Sequence, residues 1–361
     1  MAVFNVGFDP KGKPVQVRFQ TGGRLNLNPE LDAIGGNRAL VLTTPEQVDQ
    51  GEKLITNLGD RAVGLYSSAT MHTPVEITKD ALEVVKKSNA DCLIAIGGGS
   101  TIGLGKAIAY QTNLPQIVLP TTYAGSEATP VLGQTENGVK STLKSERVQP
   151  EAILYDAELV RTLPVAMSVT SGLNAMAHAV EALYAKDANR LSTELALSGL
   201  RAFVTGLPKV VVTPDDLGAR ENTLFGAWTC GAVLAQVGMA LHHKLCHTLG
   251  GTLNLPHAAT HAVILPYATA YNEAAAPNAL KPLANILGSD TAGGGLYNFA
   301  KRLGAPTDLR SLGVSQGDLD KVADLAVQNP YWNPAPIEHL TIRALLQNAY
   351  DGVHPNKGTT S

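Results

Sequence analysis

The stretch Cys92-Leu93-Ile94-Ala95-Ile96-Gly97-Gly98-Gly99-Ser100-Thr101-Ile102-Gly103 decides the fold. A short aliphatic run reads as a fully buried strand. The glycines let the backbone pass close to a ligand, and a helix-like stretch continues through Tyr110. Strand, glycine loop and helix in that order present free N–H groups and the positive end of a helix dipole, which suits a phosphate or pyrophosphate. Ser100 or Thr101 is positioned to cap the helix. The spacing fits neither standard phosphate-loop string: Ile102 stands where GxGxxG needs glycine, and Ala107 follows Lys106 where a Walker motif needs Ser or Thr. An unliganded glycine turn stays open as the alternative.

Outward from this stretch, apolar runs at 39–43, 62–66 and 117–119 alternate with helix-like segments at 45–58 and 79–88. Such alternation predicts a parallel sheet covered on both faces, a Rossmann-like α/β domain over residues 1–163. A second polar cluster, Thr121-Thr122-Tyr123-Ala124-Gly125-Ser126, follows the run at 117–119, at a strand end where open α/β sheets bind ligands. Gly97, Gly98, Gly99, Ser100, Thr121, Thr122 and Ser126 are therefore candidate contacts to a dinucleotide. Thr43 and Thr44 close the strand that often selects between cofactors. No acid follows them until Glu46, so weak discrimination between NADH and NADPH is expected. Residues 131–135 and 139–143 flank Asn137-Gly138, which predicts an antiparallel hairpin.

After Pro164 strand-like runs nearly vanish, apart from a short piece at 210–212. Periodic segments at 171–185, 191–204, 220–249, 277–287, 296–303, 319–326 and 337–350 predict an all-helical domain over 164–361. Residues 224–241 carry no charge, but three glycines, Thr229 and Gln236 favour a buried core helix over a membrane span.

The chain has 361 residues, 44% of them hydrophobic and only 16% charged, against about 25% in a typical soluble domain. The net charge is −3 and no run of five Lys or Arg occurs, so a nucleic-acid surface is not expected. Three cysteines with no CxxC make a disulfide framework unworkable. With no basic and apolar leader in MAVFNVGFDPKGKPVQVRF, a reducing, cytoplasmic setting is the expectation.

Six of nine histidines cluster in the helical half. Asn174 and His178 share a helix face at i and i+4, as do His243 and His247, and His257 and His261 follow. A single histidine on an apolar face is usually core. Several at helical spacing suggest a shared site, and a metal is one reading. Three neutral imidazoles can hold zinc, whereas iron(II) favours a carboxylate, and Asn174 supplies no charge.

GGGS at 97–100, PTT at 120–122 and the segments 171–181 and 243–257 together resemble the iron-containing alcohol dehydrogenase superfamily over nearly the whole chain. The resemblance implies the iron-type alcohol dehydrogenase (dehydroquinate synthase-like) fold and a homodimer. In metal-dependent members an Asp and a His four apart are joined by two His fourteen apart. The matching positions are Asn174, His178, His243 and His257, so the site is degenerate at its acid. His247 matches a further histidine beside substrate and nicotinamide. Within the superfamily, TTYAGSEATPVLGQTENGVKST and SGLNAMAHAVEALYA resemble the maleylacetate reductases. That narrower likeness implies NADH- or NADPH-dependent reduction of a carbon–carbon double bond conjugated to a ketone, maleylacetate to 3-oxoadipate, in aromatic catabolism and with no metal.

On that reading the enolate forming at the ketone oxygen needs donors, and His178, His243, His247 and His257 are the candidates, with imidazolium accessible near neutral pH. Asn174 would donate its amide to the substrate. A dicarboxylate substrate needs cationic or donor partners, for which Tyr123 and Lys140 are added. The alternatives are a metal-dependent alcohol or aldehyde dehydrogenase of the same superfamily and a dehydroquinate synthase-like lyase.

Overall fold

The aliphatic runs of the first half become strands because Val, Ile and Leu fit a sheet buried on both faces. In the computed structural model, which describes residues 2–8, 14–136 and 139–355 and the side chains of 15–136 and 141–355, they are β1 (Ala2–Phe8), β2 (Pro14–Phe19), β3 (Ala39–Leu42), β4 (Ala62–Tyr66), β5 (Cys92–Gly97) and β6 (Gln116–Pro120), then a hairpin of β7 (Val131–Glu136) and β8 (Val139–Lys144), and β9 (Ala152–Tyr155). One seven-stranded sheet runs in the order β1-β2-β9-β6-β5-β3-β4, with β1 and β2 antiparallel and every other pair parallel. The hairpin pairs separately, and its turn residues Asn137 and Gly138 lie outside the described residues.

Helices cover both faces: α1 (Asn28–Ile34), α2 (Val48–Leu58), α3 (Val75–Ser88), α4 (Gly99–Thr112) and the short α5 (Ala157–Val160). Alternate strand residues serve opposite layers. Val41, Ile94, Ile96, Ile117 and Leu119 pack with Leu31, Leu54 and Leu159, while Leu40, Leu42, Leu93, Ala95 and Val118 pack with Val85, Ile102 and Ile108. At about 25 cal/mol per Å² of apolar surface, these two layers dominate the stability of the sheet.

The rest is helical: α6 (Val165–Leu183), α7 (Arg190–Val212), α8 (Leu217–Gln236), α9 (Leu241–Leu253), α10 (His257–Glu273), α11 (Pro277–Leu287), α12 (Ala292–Arg302), α13 (Asp318–Val327) and α14 (His339–Asp351). Helices α9, α10, α13 and α14 share a core of Leu245, Leu249, Ile264, Leu319 and Leu346.

Four expectations change. Residues 210–212 are the last turn of α7, not a strand, because the helix outlasts its amphipathic period. Segment 220–249 is two helices bent by 98°. The break at 237–240 is held by side-chain acceptors, Asp187 for the N–H of Gly238 and Glu181 for that of Ala240. The uncharged run 224–241 thus crosses this break, with Leu224, Ala227, Cys230 and Val233 buried. The fourth change concerns a division placed at residue 163. The chain forms two units, Met1–Leu163 with Asp215–Leu224, and Pro164–Pro214 with Phe225–Ser361. The segment 215–224 joins the first because the buried Arg220 guanidinium donates to Tyr123 Oη (3.0 Å) and to the carbonyls of Arg161 (3.3 Å) and Leu163 (3.1 Å).

Candidate active site

In the first unit, β5 ends in the glycine loop. Gly98 is the N-cap of α4 in extended conformation, and no side chain caps the helix. Ser100 and Thr101 therefore lie in the first turn, not at the cap, and the first-turn N–H groups are left for a ligand. Each glycine has its own reason. A Cβ on Gly97 would sit 2.3 Å from Thr101 Oγ1, and one on Gly98 would sit 2.8 Å from Thr122 Cγ2. At Gly99 nothing lies within 4 Å, so that face of the loop is open space.

The neighbouring strand ends are tied to this loop. The Thr121 N–H donates to the Gly97 carbonyl (3.0 Å), and Gln47 Nε2 donates to Thr121 Oγ1 (2.9 Å). Thr43 is buried, its N–H on the Tyr66 carbonyl, while Thr44 bonds the exposed Glu46 carboxylate and holds it below its usual range. Ser126 turns its carbonyl to Lys106 Nζ (2.6 Å). Lys106 is itself buried and also donates to Thr129 O (2.7 Å), Thr129 Oγ1 (3.0 Å) and Val131 O (2.9 Å). Burial pushes its ammonium down to about 7, against the pull of Glu127.

Tyr123, expected as a substrate contact, lies in the core. Its ring is fully buried, its hydroxyl accepts from Arg220, and burial pushes it up to about 12. Lys140 pairs with Thr135 along the hairpin, and its side chain lies outside the described residues.

In the second unit, Asn174, His178 and Glu181 fall at i, i+4 and i+7, one face of α6, and all three are buried. His178 stacks on His243 with ring centroids 5.2 Å apart. His243 lies 6.0 Å from His247 and 5.2 Å from His261, and His257 lies 4.3 Å from His261, all between centroids. The helices thus gather His178, His243, His247 and His257, with Asn174 one turn before His178.

Burial pushes His178 well below the ordinary histidine range, and the charges of His243, His257 and His247 push it the same way. It is therefore a neutral ring, not the imidazolium acid expected from its reference value. His243 is the ring that a carboxylate orients. Its Nδ1 donates to Glu181 Oε2 at 2.7 Å. Glu181 also accepts the backbone N–H of Ala240 (2.7 Å) and of His242 (2.6 Å), so it begins α9, which has no capping side chain of its own. A carboxylate on Nδ1 fixes the tautomer and the orientation of the ring. His243 Nε2, like Asn174 Oδ1, is buried with no hydrogen-bond partner among the described residues.

Glu181 was missed from sequence, although its i+7 spacing from Asn174 was legible. Also missed was a second layer. His242 Nε2 and His261 Nδ1 share a hydrogen bond at 3.0 Å, with Cys246 Sγ 3.6 Å from the same Nε2. Burial keeps both imidazoles neutral and the Cys246 thiol protonated. Tyr331, whose hydroxyl lies 3.1 Å from His247 Nδ1, comes from a distant segment with no sequence signal.

The buried donors do not match an iron(II) site that depends on a facing carboxylate. Asn174 brings a neutral amide, and Glu181 is occupied by His243 and two backbone groups. The glycine loop, by contrast, fits a dinucleotide phosphate, since it combines an uncapped helix start with open space at Gly99.

Comparison with known proteins places these features. The family model "Iron-containing alcohol dehydrogenase" matches residues 14–157, and "Fe-containing alcohol dehydrogenase family, C-terminal" matches 168–350. A maleylacetate reductase of Rhizobium sp. (strain MTP-10005) is 57% identical over 342 residues, covering 95% of this chain and 97% of that protein. One from Burkholderia cepacia is 51% identical over 341 residues, covering 94% and 97%. The crystal structure of maleylacetate reductase from Agrobacterium tumefaciens superposes with a TM-score of 0.93 at 55% identity, covering 98% of this chain and 100% of that one.

Proposed function

Because the chain belongs to the iron-containing alcohol dehydrogenase family, we propose that it is an oxidoreductase that reduces the conjugated double bond of maleylacetate to 3-oxoadipate, with NADH or NADPH and without a metal. The reading includes a cytosolic setting, supported by three free, buried cysteines, and a homodimer, which follows from the resemblance.

Bound NAD(P)H supplies a hydride to the β-carbon of the enone. The chain's residues handle the charge and the proton. As the ketone oxygen becomes an enolate, His243, held through Nδ1 by Glu181, offers Nε2–H in its charged form, an oriented donor in a buried site. Neutral His178 stacks against that ring. Asn174, through its amide, and His247 and His257 are the further donors available to two substrate carboxylates. Protonation at the α-carbon completes the reaction: one hydride and one proton are consumed for each double bond reduced. The observation that carries this reading is the Glu181–His243 pair beside Asn174, a hydrogen-bonding set where an iron(II) site would favour an anion.

The test is an assay of the purified enzyme together with metal analysis. Rapid NAD(P)H oxidation with maleylacetate but not with simple aldehydes, unchanged by chelators, is expected. Stoichiometric zinc or iron, with activity lost to chelator and restored by metal, would overturn the metal-free reading. Aldehyde turnover would favour the alcohol dehydrogenase alternative, and turnover with neither substrate a lyase.

A further inference from the structure

Between α13 and α14 the segment 328–338 (QNPYWNPAPIE) has no regular structure, yet it is pinned at several points. Lys244 Nζ donates to the Gln328 carbonyl at 2.8 Å. Asn333 and Asn272 exchange two amide hydrogen bonds, 2.9 and 2.7 Å, and Asn333 Oδ1 also takes the Leu241 N–H at 3.4 Å. The Tyr271 hydroxyl donates to the Pro336 carbonyl. Ordering a loop of this kind costs about 1–2 kcal/mol per residue in backbone entropy, so a chain of anchors implies that something it carries must be held in place.

What it carries beside the histidines is Tyr331. Its hydroxyl lies 3.1 Å from Nδ1 of His247, with the rings edge to face at 6.2 Å, and Lys244 Nζ stands 6.0 Å from its ring centroid. Burial and the Glu181 charge both push the Tyr331 hydroxyl above its ordinary range, so it keeps its hydrogen and can donate. A phenol is a stronger donor than acceptor, which favours Nδ1 as the acceptor of this pair.

We infer that Tyr331 is a positioning residue for the reduction: its O–H occupies His247 Nδ1, which fixes the ring as the Nε2–H tautomer and so presents His247 to the substrate as a donor. The inference rests on the proposed reaction, in which His247 is a substrate-side group. The proton that His247 holds at Nε2 is not consumed; it binds substrate oxygen, and the reaction's proton balance is unchanged.

The experiment compares wild type, Tyr331→Phe, His247→Ala and the double variant. Tyr331→Phe is expected to keep its thermal midpoint and its KM for NADH. Its kcat/KM for maleylacetate should fall about tenfold, the worth of one hydrogen bond to a polar partner. In the His247→Ala background the same change should have no further effect. Nitrogen-15 NMR of histidine-labelled protein should show His247 as Nε2–H in wild type and as a tautomer mixture in Tyr331→Phe. Wild-type kcat/KM in Tyr331→Phe, an effect that persists without His247, or an unchanged tautomer would each overturn the inference. If wild type does not reduce maleylacetate, the proposed function fails, while the NMR result still decides the role of Tyr331.

Discussion

Glu181 Oε2 and His243 Nδ1 lie 2.7 Å apart in a site where both side chains are almost fully buried, and the same carboxylate receives the first backbone N–H groups of α9. One side chain therefore orients a histidine and starts the helix that carries it. Glu181→Gln should lower kcat/KM for the reduction by about 10²-fold, the lower range for loss of an oriented proton donor. Glu181→Ala, which strands two N–H groups and a histidine, should also cost about 3 kcal/mol in a denaturant titration. Unchanged turnover in Glu181→Gln would remove His243 from the role of acid.

Asn174 is the position at which metal chemistry could be restored. Asn174→Asp places a buried carboxylate one turn from neutral His178, and without a cation that charge is costly. The variant is expected to melt below wild type in chelator and to regain stability when zinc or iron(II) is added, with about one metal bound per chain by elemental analysis. Wild type should show no such rise. A thermal midpoint that ignores metal in the variant would contradict this account of the site.

The buried imidazoles make stability fall in acid. Burial lowers His178, His242 and His261, so below the ordinary histidine pKa of about 6.5 the unfolded chain takes up protons that the folded chain does not. Stability from these groups is present above that pH and is lost as pH drops, by up to about 1.4 kcal/mol per pH unit for each ring. Urea midpoints measured between pH 7.5 and 5 should fall steeply, and His261→Asn should flatten the slope by about one third. A slope insensitive to that substitution would mean the rings are protonated in the fold.

Two adjacent glycines separate packing from binding. A methyl at Gly99 meets nothing within 4 Å, so Gly99→Ala should leave the thermal midpoint alone while raising KM for NADH at least about tenfold, because it fills the space for phosphate. At Gly98 the methyl would approach Thr122 Cγ2 to 2.8 Å, and Gly98→Ala should cost stability as well. Normal NADH binding by Gly99→Ala would place the dinucleotide elsewhere.

The sheet was legible where it is buried on both faces. Residues 92–96 and 39–43 read as strands within a residue or so of β5 and β3, because their side chains are buried throughout, and 62–66 reads as the edge strand β4 from its short apolar run. Strands β2 and β9 and helix α10 were not picked out. Val15, Val17 and Phe19 alternate with polar residues in β2, a weaker signal, β9 is only four residues long, and α10 has no polar face to give it a period, since Thr260 to Thr269 are buried all round. The histidines of the site were visible through their i, i+4 spacing. Their supports were not, because Tyr331 and Asn333 reach α9 across some 84 and 92 residues of chain. His178 shows the other limit: its place was readable and its protonation was not, since burial decides that.

Lys106 joins α4, the helix that begins at the glycine loop, to four acceptors on the 126–131 segment downstream of Thr121 and Thr122. Its consequence is thermodynamic. A loop already clamped by a buried ammonium has little disorder left to surrender, so a dinucleotide docking there loses little of its contact energy to freezing the protein. Calorimetry of NADH binding would then report a small entropic penalty from the chain, and affinity set mainly by the contacts themselves.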